Sequence, residues 1–355
     1  MSKSKVAVIF GGMSTEHDVS IVSGSAILQN LKKEKYEILP IYISKQGEWY
    51  FYTKPVKDIK TLKIGQKIEE KEKIQNVFET IKAVDVIFPA LHGLYGEDGS
   101  IQGMFELLKK KYVGCGILAS SICMDKVYTK IIFDKAKIPQ AKYIYIRKRE
   151  ENYYYVKNDF SEEYIDFRQM ENLVEEKLKF PVFIKPSNSG SSVGIEKAYN
   201  GKELEEFVTY AASFDSKILI EETIEGKEVE CAVLGNEDVS TSGIGEIIPA
   251  EEFYSFDAKY KNAESKVIIP ANITEEESKN IQKYAKKAFK AVDGTGLSRI
   301  DFFIENESRK ILINEINTLP GFTQISMYPK LWEESNIKYS DLLDKLIEFA
   351  IQKQK

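Results

Sequence analysis

The N-terminal segment constrains the fold most, because it predicts two strands joined by a helix. The runs KVAVIFGG and YEILPIYIS have the composition of buried β-strands, and residues 20–33 between them predict a helix. Parallel strands joined by a helix imply an α/β layer. The apolar run at residues 6–10 is too short for a signal peptide or a membrane span, so we interpret it as the first strand.

Further strand and helix signals follow along the 355 residues, a length that allows two to three domains. Helices are predicted at residues 101–111, 204–212 and 275–292. Residues 49–82 and 147–168 are charged and aromatic without a clear period, so we predict a peripheral elaboration and an irregular segment there. A domain boundary is expected near residues 120–125. The remaining predicted strands are DVIFPALHG, FPVFIKPS, KILIEETI, EVECAVLG, TSGIGEII, SRIDFFIE and KILINEIN.

The charge pattern argues against nucleic acid and anionic membranes as partners. The 50 basic and 55 acidic residues are interspersed and give a net charge of -5, without a Lys/Arg-rich arm. A small-molecule substrate is the better hypothesis. The three cysteines, Cys115, Cys123 and Cys231, lack CxxC spacing, which favours reduced thiols and a cytoplasmic location over disulfides or a zinc site.

The segment KPSNSGSSVG combines a lysine at a strand end with small residues whose backbone N–H groups can approach phosphate oxygens. Lys185 would supply a point charge. The segment is neither GxxxxGK[ST] nor GxGxxG, so it lacks the usual nucleotide fingerprints. A plain glycine- and serine-rich turn is the alternative, and phosphate binding depends on the motifs around it.

The segment RIDFFIENESRKILINEIN predicts a β-hairpin with a turn centred on Ser308. That turn sets Asp301 opposite Glu315, and period-2 alternation adds Arg299 and Asn317 to the same face. Two opposed carboxylates need a cation between them, and oxygen ligands with an amide suit Mg²⁺ shared with a polyphosphate. A solvated hairpin face is the alternative.

Four further segments complete the candidate site, and three of them contain glycine. His17 and His92 lie in the loops GGMSTEHDVS and LHGLYGEDGSIQG, which also carry Glu16 and Glu97, at strand ends where α/β sheets collect ligands. Their spacing does not suit zinc ligands. The segment AEEFYSFDAKYKNAESKVIIPA is either a surface loop or a lid. In NTLPGFT, Gly321 could offer a backbone N–H to developing negative charge.

Taken in order, GGMSTEHDVS, LHGLYGEDGSIQG, MDK, KPSNSGSSVG, FDAKY, SRIDFF and NEINTLPGFT closely resemble the motifs of the D-alanine:D-alanine ligases, which are members of the ATP-grasp family. The resemblance runs from Val6 to about Leu346. It implies an α/β ATP-grasp fold of three domains. They are an N-terminal Rossmann-like, parallel-sheet domain that binds D-alanine (1–124), a central ATP-grasp subdomain (125–215) and a C-terminal ATP-grasp catalytic domain (216–355), the last two with antiparallel sheets.

The resemblance also implies the activity and assigns residues to it. It implies a homodimer that makes D-alanyl-D-alanine for peptidoglycan from ATP and D-alanine through a D-alanyl phosphate. ATP contacts are assigned to Lys126, Lys185, Ser192, Glu221, Glu228 and Lys259. D-Alanine contacts are assigned to Glu16, His92, Ser326 and Met327. Two Mg²⁺ or Mn²⁺ ions would be held by Asp301, Glu315 and Asn317. Catalysis is assigned to Glu16, Ser191, Tyr260, Arg299 and Gly321, with the proton acceptor left open among the first three.

Three alternatives remain at this stage. A glycopeptide-resistance relative would join D-alanine to D-serine or D-lactate; Tyr260 in the intact FDAKY motif argues against lactate, and D-serine stays open. A regulatory protein without catalysis should have lost at least one polar residue of the motifs, and all are present. Another ATP-grasp enzyme, such as a carboxylase, would lack the GGMSTEHDVS loop.

Overall fold

The computed structural model describes residues 3–190, 193–248 and 266–353. Within these residues the strands form three sheets that follow one another along the chain. None of the helices in the described segments is long and apolar enough to cross a membrane. Helices pack on all three sheets, which confirms the predicted α/β class.

The first sheet contains β1 (Ser4–Gly11), β2 (Tyr36–Ile43), β3 (Trp49–Tyr52), β4 (Lys71–Lys73), β5 (Val86–Pro89) and β6 (Lys111–Tyr112). Its order is β4-β3-β2-β1-β5-β6. The pairs β1–β2, β1–β5 and β5–β6 are parallel, as predicted. Residues 49–82 add the antiparallel edge strands β3 and β4, so the sheet is mixed.

Helix α1 (His17–Asn30) confirms the predicted strand–helix–strand unit. It lies very close to β1, because a Cβ atom at Gly24 would be only 2.4 Å from the Cβ atom of Phe10. A glycine is therefore required at this contact. The first unit also contains a 3₁₀ turn at Val56–Asp58, α2 (Val77–Lys82) and α3 (Ser100–Leu107).

The second sheet contains β7 (Tyr143–Arg149), β8 (Asn152–Val156), β9 (Glu162–Tyr164), β10 (Val182–Pro186), β11 (Glu196–Ala198) and β12 (Lys217–Glu222). All its pairs are antiparallel, in the order β11-β10-β12-β7-β8-β9. The accompanying helices are α5 (Lys126–Lys135), α6 (Phe167–Lys177) and α7 (Gly201–Ala211). Helix α4 (Ile117–Met124) precedes them and packs against α3, α5 and the third sheet. The division at 215 stays a prediction; β12 lies beyond it and pairs within the central sheet.

The prediction of an irregular segment at residues 147–168 is wrong. The segment forms the end of β7 and the strands β8 and β9. Tyr153 and Val156 of β8 point into the protein and are buried. Arg147 and Arg149 both form ion pairs with Glu162, at 3.1 and 2.7 Å. The charged and tyrosine-rich residues on the exposed face therefore obscure the alternation of apolar and polar residues by which a strand is predicted.

The third sheet contains β13 (Gly226–Gly235), β14 (Ser240–Ile248), β15 (Lys266–Ile268), β16 (Gly296–Glu305) and β17 (Ile311–Asn317), antiparallel in the order β15-β14-β13-β16-β17. Helix α8 (Glu275–Ala291) begins with a capping box between Thr274 and Glu277 and buries Ile281, Ala285 and Phe289, as its amphipathic pattern predicts. The chain continues with α9 (Met327–Glu334) and α10 (Tyr339–Gln352).

The first and third units share one hydrophobic core, whereas the central sheet has a core of its own. The shared core joins Phe10 and Phe88 to Phe322, Tyr328 and Leu346. The core of the central sheet is formed by residues from Ile144 to Ile220. The loops at the strand ends of the first sheet therefore face the third unit in an arrangement that side-chain packing fixes.

Candidate active site

The β16–β17 hairpin has the predicted register. Asp301 pairs with Glu315 and Arg299 pairs with Asn317, while Ile300 on the opposite face is buried. A bulge follows between residues 301 and 302 and shifts the pairing towards the turn by one residue. The prediction that these four polar residues share one face is therefore correct.

Arg299 neutralises two carboxylates at this hairpin. Its Nε and Nη2 atoms donate to Oδ1 and Oδ2 of Asp301 at 2.8 and 2.7 Å, and Nε lies 2.9 Å from Oε2 of Glu230. Asn317 Nδ2 donates to Asp301 Oδ2 at 3.1 Å. Burial lowers the pKa of Arg299, but the charges of Asp301 and Glu230 outweigh it and hold this pKa well above its usual value.

Glu230 was not predicted from the sequence. It lies opposite Asp301 across β13 and β16, and it is buried. Glu228, which was predicted, is two residues earlier on the same strand and therefore on the same face. That spacing was the available signal, because a second glutamate at period 2 extends the polar face of the hairpin onto β13.

Two lysines hold the buried carboxylate of Glu221. Lys130 contacts Oε1, and Lys185 Nζ lies 2.5 Å from Oε2. Burial alone would raise the pKa of Glu221, but the charges of Lys130 and Lys185 lower it to about 2. A pocket lies here, and Lys126, Lys130, Lys185, Glu221 and Glu315 line it together with Cys123 and other residues.

Lys130 was also missed, although a helical signal was present. It follows Lys126 by four residues on α5, and residues at this spacing share a helix face. Lys126 Nζ donates to the carbonyl oxygen of Ser189 at 2.5 Å. Both lysines thus extend from one helix towards the KPSNSG segment and the strand that carries Glu221.

A second polar network anchors the KPSNSG segment. Asp125 caps α5 by accepting from the backbone N–H of Tyr128, and it also accepts from Ser187 Oγ at 2.5 Å and pairs with Lys217. Asn188 Nδ2 and its backbone N–H both donate to Asp215, at 2.8 and 2.9 Å. These bonds fix the start of the loop to α5 and β12.

Glu16 meets the other end of that segment. It is buried at the start of α1, and a Cβ atom at Gly190 would lie 2.6 Å from Glu16 Oε1. Burial, followed by the charge of Glu16, raises the pKa of Glu97, and Arg299 and Glu315 also act on it. The loops of the first sheet, the KPSNSG segment and the hairpin therefore converge.

His92 holds the turn that follows the hairpin. Its Nδ1 atom lies 3.1 Å from the carbonyl oxygen of Leu319, which can only accept, so Nδ1 carries the proton. Its Nε2 atom then accepts from Ser23 Oγ at 2.8 Å, and Ser23 Oγ accepts from the backbone N–H of Phe322 at 3.2 Å. Burial lowers the pKa of His92 to about 4 and keeps the ring neutral. Gly321 lies between the two anchored residues.

The residues predicted to line the second substrate pocket follow this turn. Ser326 Oγ accepts from the backbone N–H of Thr323 at 3.0 Å, and a Cβ atom at Gly321 would lie 2.9 Å from it. Met327 is the first residue of α9. Its side chain packs closely on Gly245, where an added Cβ atom would lie only 2.6 Å from the Met327 sulfur. Both residues are thus next to the turn that carries Gly321.

Comparison with known proteins identifies the family. The family model described as D-ala D-ala ligase N-terminus matches residues 5–115, and the one described as D-ala D-ala ligase C-terminus matches residues 132–348. The chain belongs to the D-alanine:D-alanine ligase family. Its fold is accordingly the predicted ATP-grasp fold, with antiparallel second and third sheets.

Individual members of the family align over nearly the whole chain. A D-alanine–D-alanine ligase of Acetivibrio thermocellus is 48% identical over 99% of this chain and 96% of its own. The VanG D-Ala:D-Ser ligase of Enterococcus faecalis has a TM-score of 0.84 and 36% identity, covering 98% of this chain and all of that one (100%). The D-alanine–D-alanine ligase of Coxiella burnetii has a TM-score of 0.81 and 33% identity, covering 99% and 95%.

Four predicted site residues and the three cysteines remain to be located in this family member. Ser191, Ser192, Lys259 and Tyr260 lie outside the described residues. The cysteines are described and are free thiols, Cys115 and Cys231 buried and Cys123 partly so, as predicted. Across the described part of the chain, no three His, Cys, Asp or Glu side chains cluster as a metal site.

Proposed function

We propose that this ligase joins two molecules of D-alanine into D-alanyl-D-alanine and converts ATP to ADP and phosphate. The observation that carries the proposal is the convergence of three motifs. Glu16 touches Gly190 of the KPSNSG segment, and Lys185 of that segment shares a pocket with Glu315 of the hairpin. An amino-acid loop, a phosphate loop and a carboxylate pair therefore meet at one place.

ATP would bind in the pocket between the central sheet and the hairpin. Lys126 and Lys185 offer cationic donors for phosphate oxygens, and Glu221 offers a carboxylate acceptor for the amino group of adenine. Glu228, on the same face as Glu230, is proposed to contact the ribose. Ser192 and Lys259 complete the proposed nucleotide set.

The hairpin has a donor set that fits Mg²⁺ or Mn²⁺. Asp301, Glu315 and Asn317 offer oxygen atoms from two facing strands, and such hard ligands suit these ions. We propose that these three residues hold two ions. When bound, the metal would neutralise charge on the transferring phosphoryl group. Arg299 donates to both carboxylate oxygens of Asp301 at 2.7–2.8 Å and thereby orients this proposed ligand.

The proposed reaction has two steps. A carboxylate oxygen of the first D-alanine bonds to the γ-phosphorus of ATP, the bond to the ADP oxygen breaks, and D-alanyl phosphate forms. The amine of the second D-alanine then bonds to the carbonyl carbon, and inorganic phosphate leaves. Glu16 binds the ammonium group of the first D-alanine. The proton lost by the second amine passes to the set of Glu16, Ser191 and Tyr260.

The third unit supplies the groups for the second step. Arg299 and the backbone N–H of Gly321 are proposed to stabilise the oxyanion of the tetrahedral intermediate, and one such donor is worth about 3–4 kcal/mol. Ser326 and Met327 are proposed to line the pocket of the second D-alanine. Since both nitrogens of His92 have partners within the protein, it supports this region by holding the turn.

D-Serine at the second position is the other candidate, because the VanG D-Ala:D-Ser ligase has the same fold at 36% identity. The relatives named D-alanine–D-alanine ligase reach 48% identity and favour D-alanine. The evidence for D-serine is one similar structure. The identity of Ser326 and Met327, which we propose to line the second pocket, does not by itself decide between the two substrates. Identification of the product is therefore the deciding measurement.

Release of phosphate from ATP by the purified protein with Mg²⁺ tests the proposal. We expect release with D-alanine and none above background with L-alanine; equal release with both, or none with either, would refute it. Mass spectrometry of reactions that contain D-alanine alone, or D-alanine with D-serine or D-lactate, identifies the product. A mixed dipeptide as the main product at equal concentrations would favour the alternative.

We also propose a cytoplasmic location, which the use of ATP and the three free thiols support. The dipeptide that the enzyme makes would enter peptidoglycan synthesis. Homodimerisation stays a prediction, and light scattering of the purified protein at several concentrations tests it.

A further inference from the structure

The two lysines that hold Glu221 differ in their surroundings. Lys130, from α5, has only 3% of its side chain exposed and lies over the ring of Tyr143, 5.4 Å from its centroid. Lys185, from β10, is 16% exposed and begins the KPSNSG segment. Both lysines line the pocket, but Lys130 is the more enclosed of the two, whereas Lys185 is exposed enough to reach a ligand there.

This difference matters because Lys185 cannot compensate the charge of Glu221 and bind a phosphate group at the same time. Glu221 is 4% exposed, and a buried carboxylate is costly unless cations and donors compensate it. If Lys185 turns towards phosphate, it withdraws from Oε2 of Glu221. Only a second cation that stays in place can keep the carboxylate charged.

We propose that Lys130 is a positioning residue for nucleotide binding. It keeps Glu221 charged and oriented as the acceptor for the amino group of adenine, and it thereby releases Lys185 to contact phosphate. The inference rests on the proposed ATP site and adds to it a residue that need not touch the nucleotide. Lys130 acts through Glu221, so its effect should vanish when Glu221 carries no charge.

Kinetics of three lysine variants provide the first test. Lys130→Met should raise the KM for ATP at least about tenfold and leave kcat within about threefold, because a ground-state contact is lost and the reacting groups stay in place. Lys130→Arg keeps the charge and should return the KM to within about threefold of the wild type. Lys135→Met, on an exposed position of the same helix, is the matched control and should behave as the wild type.

A double-mutant cycle with Glu221→Gln separates the proposed role from a general loss of packing. In the Glu221→Gln background, Lys130→Met should change the KM for ATP by less than about twofold, because no carboxylate remains to be compensated. An undiminished effect in this background would overturn the proposal. So would a wild-type KM in Lys130→Met, or a loss that appears in kcat alone.

Calorimetric titration of each variant with ADP and Mg²⁺ gives a readout that does not need turnover. Weaker ADP binding by Lys130→Met, with recovery in Lys130→Arg, is expected even if the protein proves inactive with D-alanine. Failure of the proposed function is therefore distinguishable from failure of this inference. If Lys130→Met does not fold, Lys130→Arg and the double variant, which has no buried unpaired carboxylate, decide the outcome.

Discussion

Replacement of Ser23 by alanine should disconnect the Leu319–Phe322 turn from the first unit. Ser23 accepts from the backbone N–H of Phe322 at 3.2 Å and donates to His92 Nε2 at 2.8 Å, and all three residues are buried. Each buried polar group left without a partner costs about 1–3 kcal/mol, and the substitution leaves two, so the anchored turn loses about 2–6 kcal/mol relative to a detached one. A displaced Gly321 N–H can cost at most the 3–4 kcal/mol or so of one oxyanion donor. We therefore expect kcat to fall by about 10- to 100-fold.

Steady-state kinetics with saturating D-alanine and ATP measure this effect. The KM for ATP should stay within about twofold, because the turn is not part of the proposed nucleotide pocket. Ser25→Ala is the matched control; Ser25 is buried on the same helix, donates to the carbonyl oxygen of Val22 and accepts from the backbone N–H of Leu62. Equal kcat values for the Ser23 and Ser25 variants would refute the assigned role of Ser23.

Three further outcomes are expected. Glu315→Ala should lower kcat at least about 1000-fold with little change in the midpoint of thermal unfolding, and near-normal turnover would contradict the metal assignment. Chelation of divalent ions by EDTA should stop phosphate release, and excess Mg²⁺ or Mn²⁺ should restore it. His92, whose pKa burial lowers to about 4, contributes stability that is present above its unfolded pKa of about 6.5 and is lost as the pH falls towards 4. Between pH 7 and 5 the wild type should therefore lose about 2 kcal/mol more unfolding free energy than His92→Asn in denaturant titrations, and equal losses would contradict the burial of a neutral ring.

The β16–β17 hairpin was predictable because its signals are local. Strand alternation and a turn near Ser308 fix which residues face one another, and Asp301 faces Glu315 as expected. The bulge after Asp301 was not predictable, yet it lies on the turn side of the pair and leaves the pair intact. Local pattern therefore determined the part of the site that the hairpin carries.

Contacts between segments that are distant along the chain could not be predicted from the sequence. Glu221 and Lys130 are 91 positions apart, and nothing in either segment indicates that they pair. The link from Ser23 to Phe322 crosses 299 positions in the same way. Such contacts follow from the packing of α5 on the central sheet and of the first unit on the third, which a single sequence does not display.

The two halves of the site therefore depend on different parts of the fold. Glu16 and Ser23 belong to one helix region, and a helix advances 1.5 Å per residue, so the carboxylate that we propose to bind the ammonium group and the anchor of the turn are held about 10 Å apart along it. The shared core of the first and third units fixes this helix against the turn. Lys185 instead lies on β10 of the central sheet, which has a separate core. Lys126 and Lys130 lie on α5, which packs through Val127 on the central sheet and through Phe133 into the core of the third sheet. Substitutions in the shared core should thus alter the chemistry on D-alanine, whereas substitutions in the central core should alter the binding of ATP.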